Sequence, residues 1–146
     1  MLVPFARGPE NTRMSLHIGD RIPPPLRFEF GTEPSDDIGH AVLAVTVDDD
    51  GLPRVAVLSP AELKAPDDRS LVIDLNAAGT SWKNMKERRC VAVWCVLDAA
   101  AYTIKGDVEP IGGSSFLMKV KSVWRDFDPA APMVAGPAFK RKPGPP

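Results

Sequence analysis

The sequence has few of the residues that most metal and redox sites use. Its two histidines, His17 and His40, lie in neither an HExxH motif nor another metal-ligand spacing, so no metal site is predicted. The two cysteines, Cys90 and Cys95, form no CxxC pair. If CVAVWC is a strand, these side chains point to opposite faces and cannot form a disulfide with each other. We expect both to be small, buried apolar residues.

Several sequence motifs and biases that mark particular functions are also missing. The chain lacks GxGxxG, GxxxxGK[ST] and GxSxG, so neither a nucleotide loop nor a nucleophile elbow is predicted. Eighteen Lys and Arg against 19 Asp and Glu give a net charge of -1, which argues against a nucleic-acid binder. No apolar run approaches the roughly 20 residues that span a bilayer. The N-terminus has no secretory apolar segment, so we expect a cytoplasmic protein without a membrane partner.

Prolines concentrate at the two ends of the chain. Of the 16 prolines, most lie in residues 1–34 and 129–146. Because proline interrupts helices and sheets, these segments are predicted to be extended arms or loops around a single domain of residues 1–146. Residues 23–25 (PPP) are predicted to be polyproline-like.

The central region is dominated by strand patterns. Short β-branched or alternating segments with turn signals between them predict a mainly β fold, a small antiparallel barrel or sandwich with a few short helices. A parallel βαβ architecture is disfavoured, because only one link between strands is long enough for a crossover helix. The predicted strands are six, at residues 41–47, 54–59, 70–76, 91–97, 102–109 and 116–124.

The same pattern predicts a strand face, a loop and a turn. Alternation predicts that Phe116 and Trp124 lie on the same face of the last strand. Residues 60–68 are predicted to form a loop with at most one helical turn. The acidic trio at residues 48–50 is predicted to be a solvated hairpin turn.

The stretch GTSWKNMKERRCVAVW, residues 79–94, combines hydroxyls and cations directly before a strand. It predicts a helix at Thr80–Arg88, with Thr80 or Ser81 as its N-cap. The first turn of a helix carries unpaired N–H groups and a positive dipole end, which favour a bound anion. The alternative is that a hydroxyl only caps the helix while the cations face water.

Other polar groups in the sequence would strengthen such an anion site. Thr80 and Ser81 supply hydroxyl donors, and Lys83 supplies positive charge. Arg54 begins a neighbouring strand, so its guanidinium could bind the same anion through two hydrogen bonds.

The order of the segments AVLAVTVDDDGLPRVAVLS, DDRSLVIDLNAAGTSWKNMKERRCVAVW and YTIKGDVEPI resembles the pyridoxamine 5′-phosphate oxidase-like family of FMN-binding split β-barrels. The resemblance covers residues 39–139. It implies a six-stranded antiparallel split barrel that forms a homodimer, with FMN in a groove at the subunit interface. It further implies flavin-mediated hydride or electron transfer with a small-molecule substrate.

The resemblance also assigns cofactor contacts by position, although it specifies no catalytic residue. Where vitamin-oxidising members carry Lys, this chain has Ser59, and Ser81 stands where the family often has another Lys. The implied activity is therefore a flavin-dependent oxidoreductase other than pyridoxamine phosphate oxidase. The implied FMN contacts are Arg54, Thr80, Ser81 and Lys83 at the phosphate, Val57, Leu58 and Ser59 beside the ring, and Asn84 as the helix asparagine that fixes the loop.

Several alternatives stay open at this point. The same groove could bind the deazaflavin F420 in an F420-dependent reductase. The protein could instead carry flavin or haem without catalysis, with His40 and Cys95 as the available haem ligands. An interaction module with an empty barrel is the third alternative.

Overall fold

The structure is a computed structural model that describes residues 13–31 and 38–140. Within these residues, strands predominate over helices, which confirms the mainly β class. A single 3-10 turn spans Pro60–Glu62. The other elements are β1 (Met14–Gly19), α1 (Pro24–Glu29), β2 (Ile38–His40), β3 (Val42–Val47), β4 (Pro53–Leu58), β5 (Leu63–Asp67), β6 (Ser70–Asp74), α2 (Thr80–Arg88), β7 (Cys90–Leu97), β8 (Ala100–Gly112), β9 (Ser115–Phe127) and β10 (Ala138–Lys140).

One antiparallel sheet of eight strands makes up most of the described fold. Its order is β4-β3-β7-β8-β9-β6-β5, and β1 pairs with the C-terminal part of β9. The strands expected from the sequence are all present, as β3, β4, β6, β7, β8 and β9. β1 and β5 are additional, and β2 and β10 form a separate pair.

A short connection makes the sheet curl into a barrel. β4 and β5 lie at opposite ends of the strand order, yet only residues 59–62 separate them along the chain. So short a link can be satisfied only if the two ends of the sheet come close together in space. Because β4 and β5 are not hydrogen-bonded neighbours in the described sheet, the barrel is split between them.

The predicted N-terminal arm contains regular structure where it is described. β1 pairs with β9, and Pro24 begins α1, so the polyproline prediction is wrong from Pro24 onward. Proline suits the first turn of a helix, where its missing N–H would have no helical partner. The helix buries Leu26 completely, which anchors the segment to the core. Predictions for residues 1–12, 32–37 and 141–146 lie outside the described residues.

The loop predicted at residues 60–68 is in part a strand. After the 3-10 turn, β5 pairs with β6, and Leu63 is buried opposite Ile73. The pairing is irregular between Lys64 and Asp67, around Pro66. Proline cannot donate a ladder hydrogen bond and is therefore confined to edges and bulges. The proline that suggested a loop marks an irregularity in an edge strand.

A bulge in β9 reverses the face on which its later residues lie. Phe116 is buried as predicted, but Trp124 is not on that face. In the pairing with β8, Val120 lies opposite Gly106 and Ser122 opposite Lys105, so β9 has one extra residue. The extra residue shifts the alternation by one. Val123 is buried instead.

Gly106 is expected to tolerate no side chain. A Cβ at this position would overlap the backbone carbonyl of Lys119 on β9, and backbone cannot move as easily as a side chain. We expect Gly106→Ala to lower the free energy of unfolding by roughly 2 kcal/mol, through a lower urea midpoint at unchanged m-value. Lys105→Ala, at the exposed neighbouring position, is the control. Equal midpoints for the two variants would contradict this packing argument.

Candidate functional site

A groove of about 290 Å³ contains much of the predicted cofactor site. Residues 54–58 of β4 form one wall, and Leu75, Asn76 and residues 79–82 form the other. Glu62, in the 3-10 turn that joins β4 to β5, lies at its border. The groove therefore follows the side of β4 that has no strand partner.

β4 offers the groove both backbone groups and apolar surface. It is the terminal strand of the described sheet and pairs only with β3, so one row of its N–H and C=O groups is unpaired. Val55 and Val57 expose 56% and 52% of their surface. A flat apolar ligand with polar edges could therefore both pack against this strand and hydrogen-bond to it.

The first turn of α2 supplies the other wall with donors. Gly79 is the N-cap, and the Lys83 N–H donates to the Gly79 carbonyl at 3.2 Å. The N–H groups of Thr80, Ser81 and Trp82 precede that bond and have no helical acceptor. The prediction that a hydroxyl caps this helix is therefore wrong. Within the described residues, the Thr80 and Ser81 hydroxyls have no hydrogen-bond partner.

Arg54 lies at the end of the groove nearest this helix turn. Its Nε donates to Asp48 Oδ1 at 2.7 Å, and this hydrogen bond raises the pKa of the guanidinium. The two Nη nitrogens have no partner among the described residues. Arg54 and Thr80 also line an adjoining depression of about 310 Å³. The fork of the guanidinium is therefore available where the two depressions meet.

The carboxylate of Asp48 is hydrogen-bonded to both Arg54 and Asn84. The prediction that residues 48–50 form a solvated turn is therefore wrong for Asp48. Its Oδ1 also accepts a 2.8 Å bond from Asn84 Nδ2, which donates to Thr46 Oγ1 at 3.1 Å. The bond from Arg54, followed by that from Asn84, lowers the pKa of the Asp48 carboxyl. The predicted structural role of Asn84 has a physical basis in these two bonds.

Lys83 lies outside the groove, in the adjoining depression. Its Nζ is 3.9 Å from Asp49 Oδ2 and 4.0 Å from Glu87 Oε1. Ser59 does not line the groove either, and its backbone N–H donates to Glu62 Oε1 at 3.1 Å. Asn84 lines only the adjoining depression, and the structure brings together the other predicted contacts in the groove wall: Arg54, Val57, Leu58, Thr80 and Ser81.

Trp82 lines the groove but is not among the predicted cofactor contacts. Its ring packs edge-on against Phe116 at 5.8 Å, and Lys86 Nζ lies 5.1 Å from its centroid. Its Nε1–H is buried and has no acceptor among the described residues. Most buried donors in folded proteins are hydrogen-bonded, and a bound water or a ligand can supply a missing acceptor. The signal available in the sequence was that Trp82 is the third residue of the predicted helix, and the first turn of a helix carries unpaired donors.

The thiols and histidines give no comparable site. Burial raises the pKa of the Cys95 thiol to about 12, so this group stays protonated at neutral pH. Cys90 is exposed, so the expectation that both cysteines are buried is wrong for it. His40 Nε2 lies 3.9 Å from Glu29 Oε1. Across the described residues, no group of three or more His, Cys, Asp or Glu could hold a metal ion.

A larger cavity of about 420 Å³ lies elsewhere, between the start of β1 and the end of β9. Met14, Phe127 and Met133 supply its apolar surface, and Arg13 and Asp126 supply opposite charges. None of the predicted cofactor contacts lines it. The groove beside β4 is therefore the candidate site.

Structure comparison assigns the fold. Residues covering 71% of this chain match 98% of a single-residue variant of HupZ from Group A Streptococcus, with a TM-score of 0.57 and 14% identity. A candidate pyridoxamine 5′-phosphate oxidase from Lactobacillus delbrueckii matches over 73% of this chain and 97% of its own, with a TM-score of 0.55 and 16% identity. The chain has the pyridoxamine 5′-phosphate oxidase-like fold.

Sequence comparison adds nothing to this fold assignment. No family model and no curated protein matches the chain. At 14% and 16% identity, the structural matches establish the split-barrel fold and not a shared activity. No helix in the described part of the chain is both long and apolar enough to cross a membrane.

The lowered pKa of Asp48 predicts an acid-sensitive contribution to stability. The carboxylate should stabilise the fold above its ordinary pKa of 3.8, and this contribution is lost as pH falls through the lower folded value. The difference in unfolding free energy between wild type and Asp48→Asn should therefore be constant from about pH 5 to 8 and shrink below about pH 4. Urea unfolding at several pH values measures it. A difference that stays constant through the acid range would contradict the assignment.

Proposed function

We propose that this protein is a cytoplasmic FMN-binding oxidoreductase, and that it transfers a hydride or electrons to or from a small-molecule substrate. We further propose that it acts as a homodimer in which the second copy completes the groove. The observation that carries the proposal is the groove itself. It combines a guanidinium fork and unpaired helix donors at one end with an apolar edge strand along its length.

The phosphate of FMN suits the end of the groove at Arg54. A phosphomonoester is a dianion with oxygens that accept several hydrogen bonds. Arg54 Nη groups, the Thr80 and Ser81 hydroxyls and the first-turn N–H groups are donors without internal partners in the described structure. They offer the positive charge and the hydrogen bonds that a phosphate seat requires.

The flavin ring suits the apolar remainder of the groove. Between Arg54 and Leu58 the strand extends by about 13 Å, at about 3.3 Å per residue. The unpaired backbone groups of β4 can bond the polar edges of a ring that lies beside Val57 and Leu58. Trp82, whose Nε1–H has no acceptor among the described residues, lines the same groove. FMN would supply the electron-transfer chemistry, and these residues would bind and orient it.

A second copy of the chain would cover the outer face of the sheet next to this groove. Val57, Leu43 and Trp94 lie opposite one another on β4, β3 and β7, and Val45 pairs with Val55 in the next row. The members on β3 and β7 are half-buried, and the row continues from the exposed valines of β4. Contiguous exposed apolar surface is typical of an interface. The same face borders the groove, so a partner seated there could close its open side.

FMN should bind more tightly than riboflavin, because only FMN has the phosphate. The double variant Thr80→Ala, Ser81→Ala should weaken FMN binding by roughly a hundredfold or more and leave riboflavin nearly unchanged, since each of the two bonds to a charged group contributes about 1.5–3 kcal/mol. Fluorescence titration of apo protein measures both constants.

Controls in the same titration separate the competing functions. Lys83→Ala should weaken FMN binding less than Arg54→Met does, because Lys83 is paired outside the groove. Equal affinity for FMN and riboflavin would refute the phosphate site, and tighter binding of F420 would favour the deazaflavin reductase. Oxidation of NAD(P)H by the loaded protein would distinguish an enzyme from a carrier.

The outer apolar face should hold the homodimer together. Leu43→Glu places a charge in the centre of this face, and burying it would require desolvation without a partner. We expect this variant to be monomeric by sedimentation velocity and to bind FMN more weakly, while its circular dichroism is retained. Val134→Glu, at a side chain that is 97% exposed elsewhere, is the matched control. A Leu43→Glu dimer with wild-type FMN affinity would exclude this interface.

A further inference from the structure

We propose that Asp48 is a positioning residue of the anion site. It holds the guanidinium of Arg54 by Nε, so that both Nη nitrogens face a phosphomonoester in the groove. The proposal rests on the function proposed above and extends it to a residue that contributes no donor of its own. Asp48 acts through Arg54, and its negative charge alone would oppose an anion.

The backbone of Asp48 is fixed by the tight turn between β3 and β4. Its N–H donates to the Leu52 carbonyl at 2.8 Å, and its own carbonyl accepts from the Gly51 N–H at 2.9 Å. Gly51 has a φ of 83°, a conformation that glycine adopts without strain. The carboxylate therefore projects from a rigid point of the sheet.

A buried polar network then fixes the carboxylate itself. Thr46 and Asn84 are the buried polar side chains among the described residues, at 1% and 2% exposure. Asn84 Nδ2 uses its hydrogens for Thr46 Oγ1 and Asp48 Oδ1. Burying a polar side chain costs free energy unless it is hydrogen-bonded, and these two bonds meet that condition. The network holds the one oxygen that also accepts from Arg54.

The hydrogen bond at Nε determines which N–H donors Arg54 can offer to an anion, and in which direction they point. A guanidinium has five N–H donors in one plane, so fixing Nε also fixes the plane and direction of the remaining four. Those four form the fork that binds two phosphate oxygens at once. A free arginine would lose side-chain entropy on binding the anion, whereas one already held by Asp48 loses less.

The proposal predicts that removing Asp48 weakens anion binding, whereas simple charge repulsion predicts that it strengthens anion binding. Removing a carboxylate near an anion site should strengthen anion binding if only long-range electrostatics matter. If Asp48 positions Arg54, its removal should weaken binding. Asp50 provides the matched control, because it influences Arg54 through charge without a hydrogen bond to it. Its Oδ1 accepts from the Leu52 N–H, an interaction that asparagine can retain.

The experiment compares FMN and riboflavin affinities of wild type, Asp48→Ala, Asp48→Asn and Asp50→Asn. We expect Asp48→Ala to bind FMN about tenfold more weakly, with riboflavin affinity unchanged. The reason is that the charged hydrogen bond that holds Nε of Arg54 is lost. Asp48→Asn keeps a neutral acceptor and should fall between Asp48→Ala and wild type. Asp50→Asn should bind FMN as tightly as wild type or more tightly. Unchanged riboflavin binding also shows that each variant is folded.

Two further measurements make the outcome decisive. In an Arg54→Met background, Asp48→Ala should no longer weaken FMN binding, and only the effect of the removed charge should remain. The Nε–H resonance of Arg54 should shift in Asp48→Ala but not in Asp50→Asn, in the absence of any cofactor. If wild type prefers FMN but Asp48→Ala binds it as well as Asp50→Asn does, the positioning role is refuted while the proposed function stands. If wild type has no preference for FMN, the proposed function fails, and this inference fails with it.

Discussion

The short link between β4 and β5 is the constraint on which the rest of the structure depends. Because residues 59–62 must connect the two ends of the strand order, the sheet curls until those ends face each other. They do not pair, so β4 keeps one row of free backbone groups. α2 contacts β3, β4 and β8, and its first turn forms the wall opposite β4. The groove is thus a consequence of incomplete closure.

Within this frame, the basic residues of the helical stretch have partners of their own, and Arg89 Nε donates to the Lys86 carbonyl. Arg88 Nη2 lies 3.2 Å from Asp49 Oδ1, and Lys83 is close to the same carboxylate. Lys86 lies over the ring of Trp82. Exposed ion pairs of this kind add little stability, but they occupy the cations. What is left for an anion is the helix terminus, two hydroxyls and the fork of Arg54.

The sequence was sufficient to predict the fold where the alternation along strands and the order of elements were regular. It was insufficient where one extra residue shifted the alternation of a strand. The strands that form the barrel and the groove residues Arg54, Thr80 and Ser81 followed from such patterns and from the family resemblance. Trp124 did not, because the bulge in β9 reverses its face. Pro24 begins a helix because tertiary burial of Leu26 outweighs the local appearance of a proline run. Neither effect is local, so neither can be inferred from neighbouring residues.

Asp48 shows the same limit at the site itself. In sequence it belongs to an acidic turn, and nothing nearby distinguishes it from Asp49 or Asp50. Its partner Asn84 is 36 residues away, and only folding brings them together. The groove carries neutral Ser81 where the resemblance leads one to expect a lysine. Arg54 is the one basic residue in the described groove wall, so the positive charge that this wall offers depends on the direction of that guanidinium. A site with one guanidinium depends on the orientation of that group. The buried network of Thr46 and Asn84 holds the Asp48 carboxylate, which in turn fixes the guanidinium.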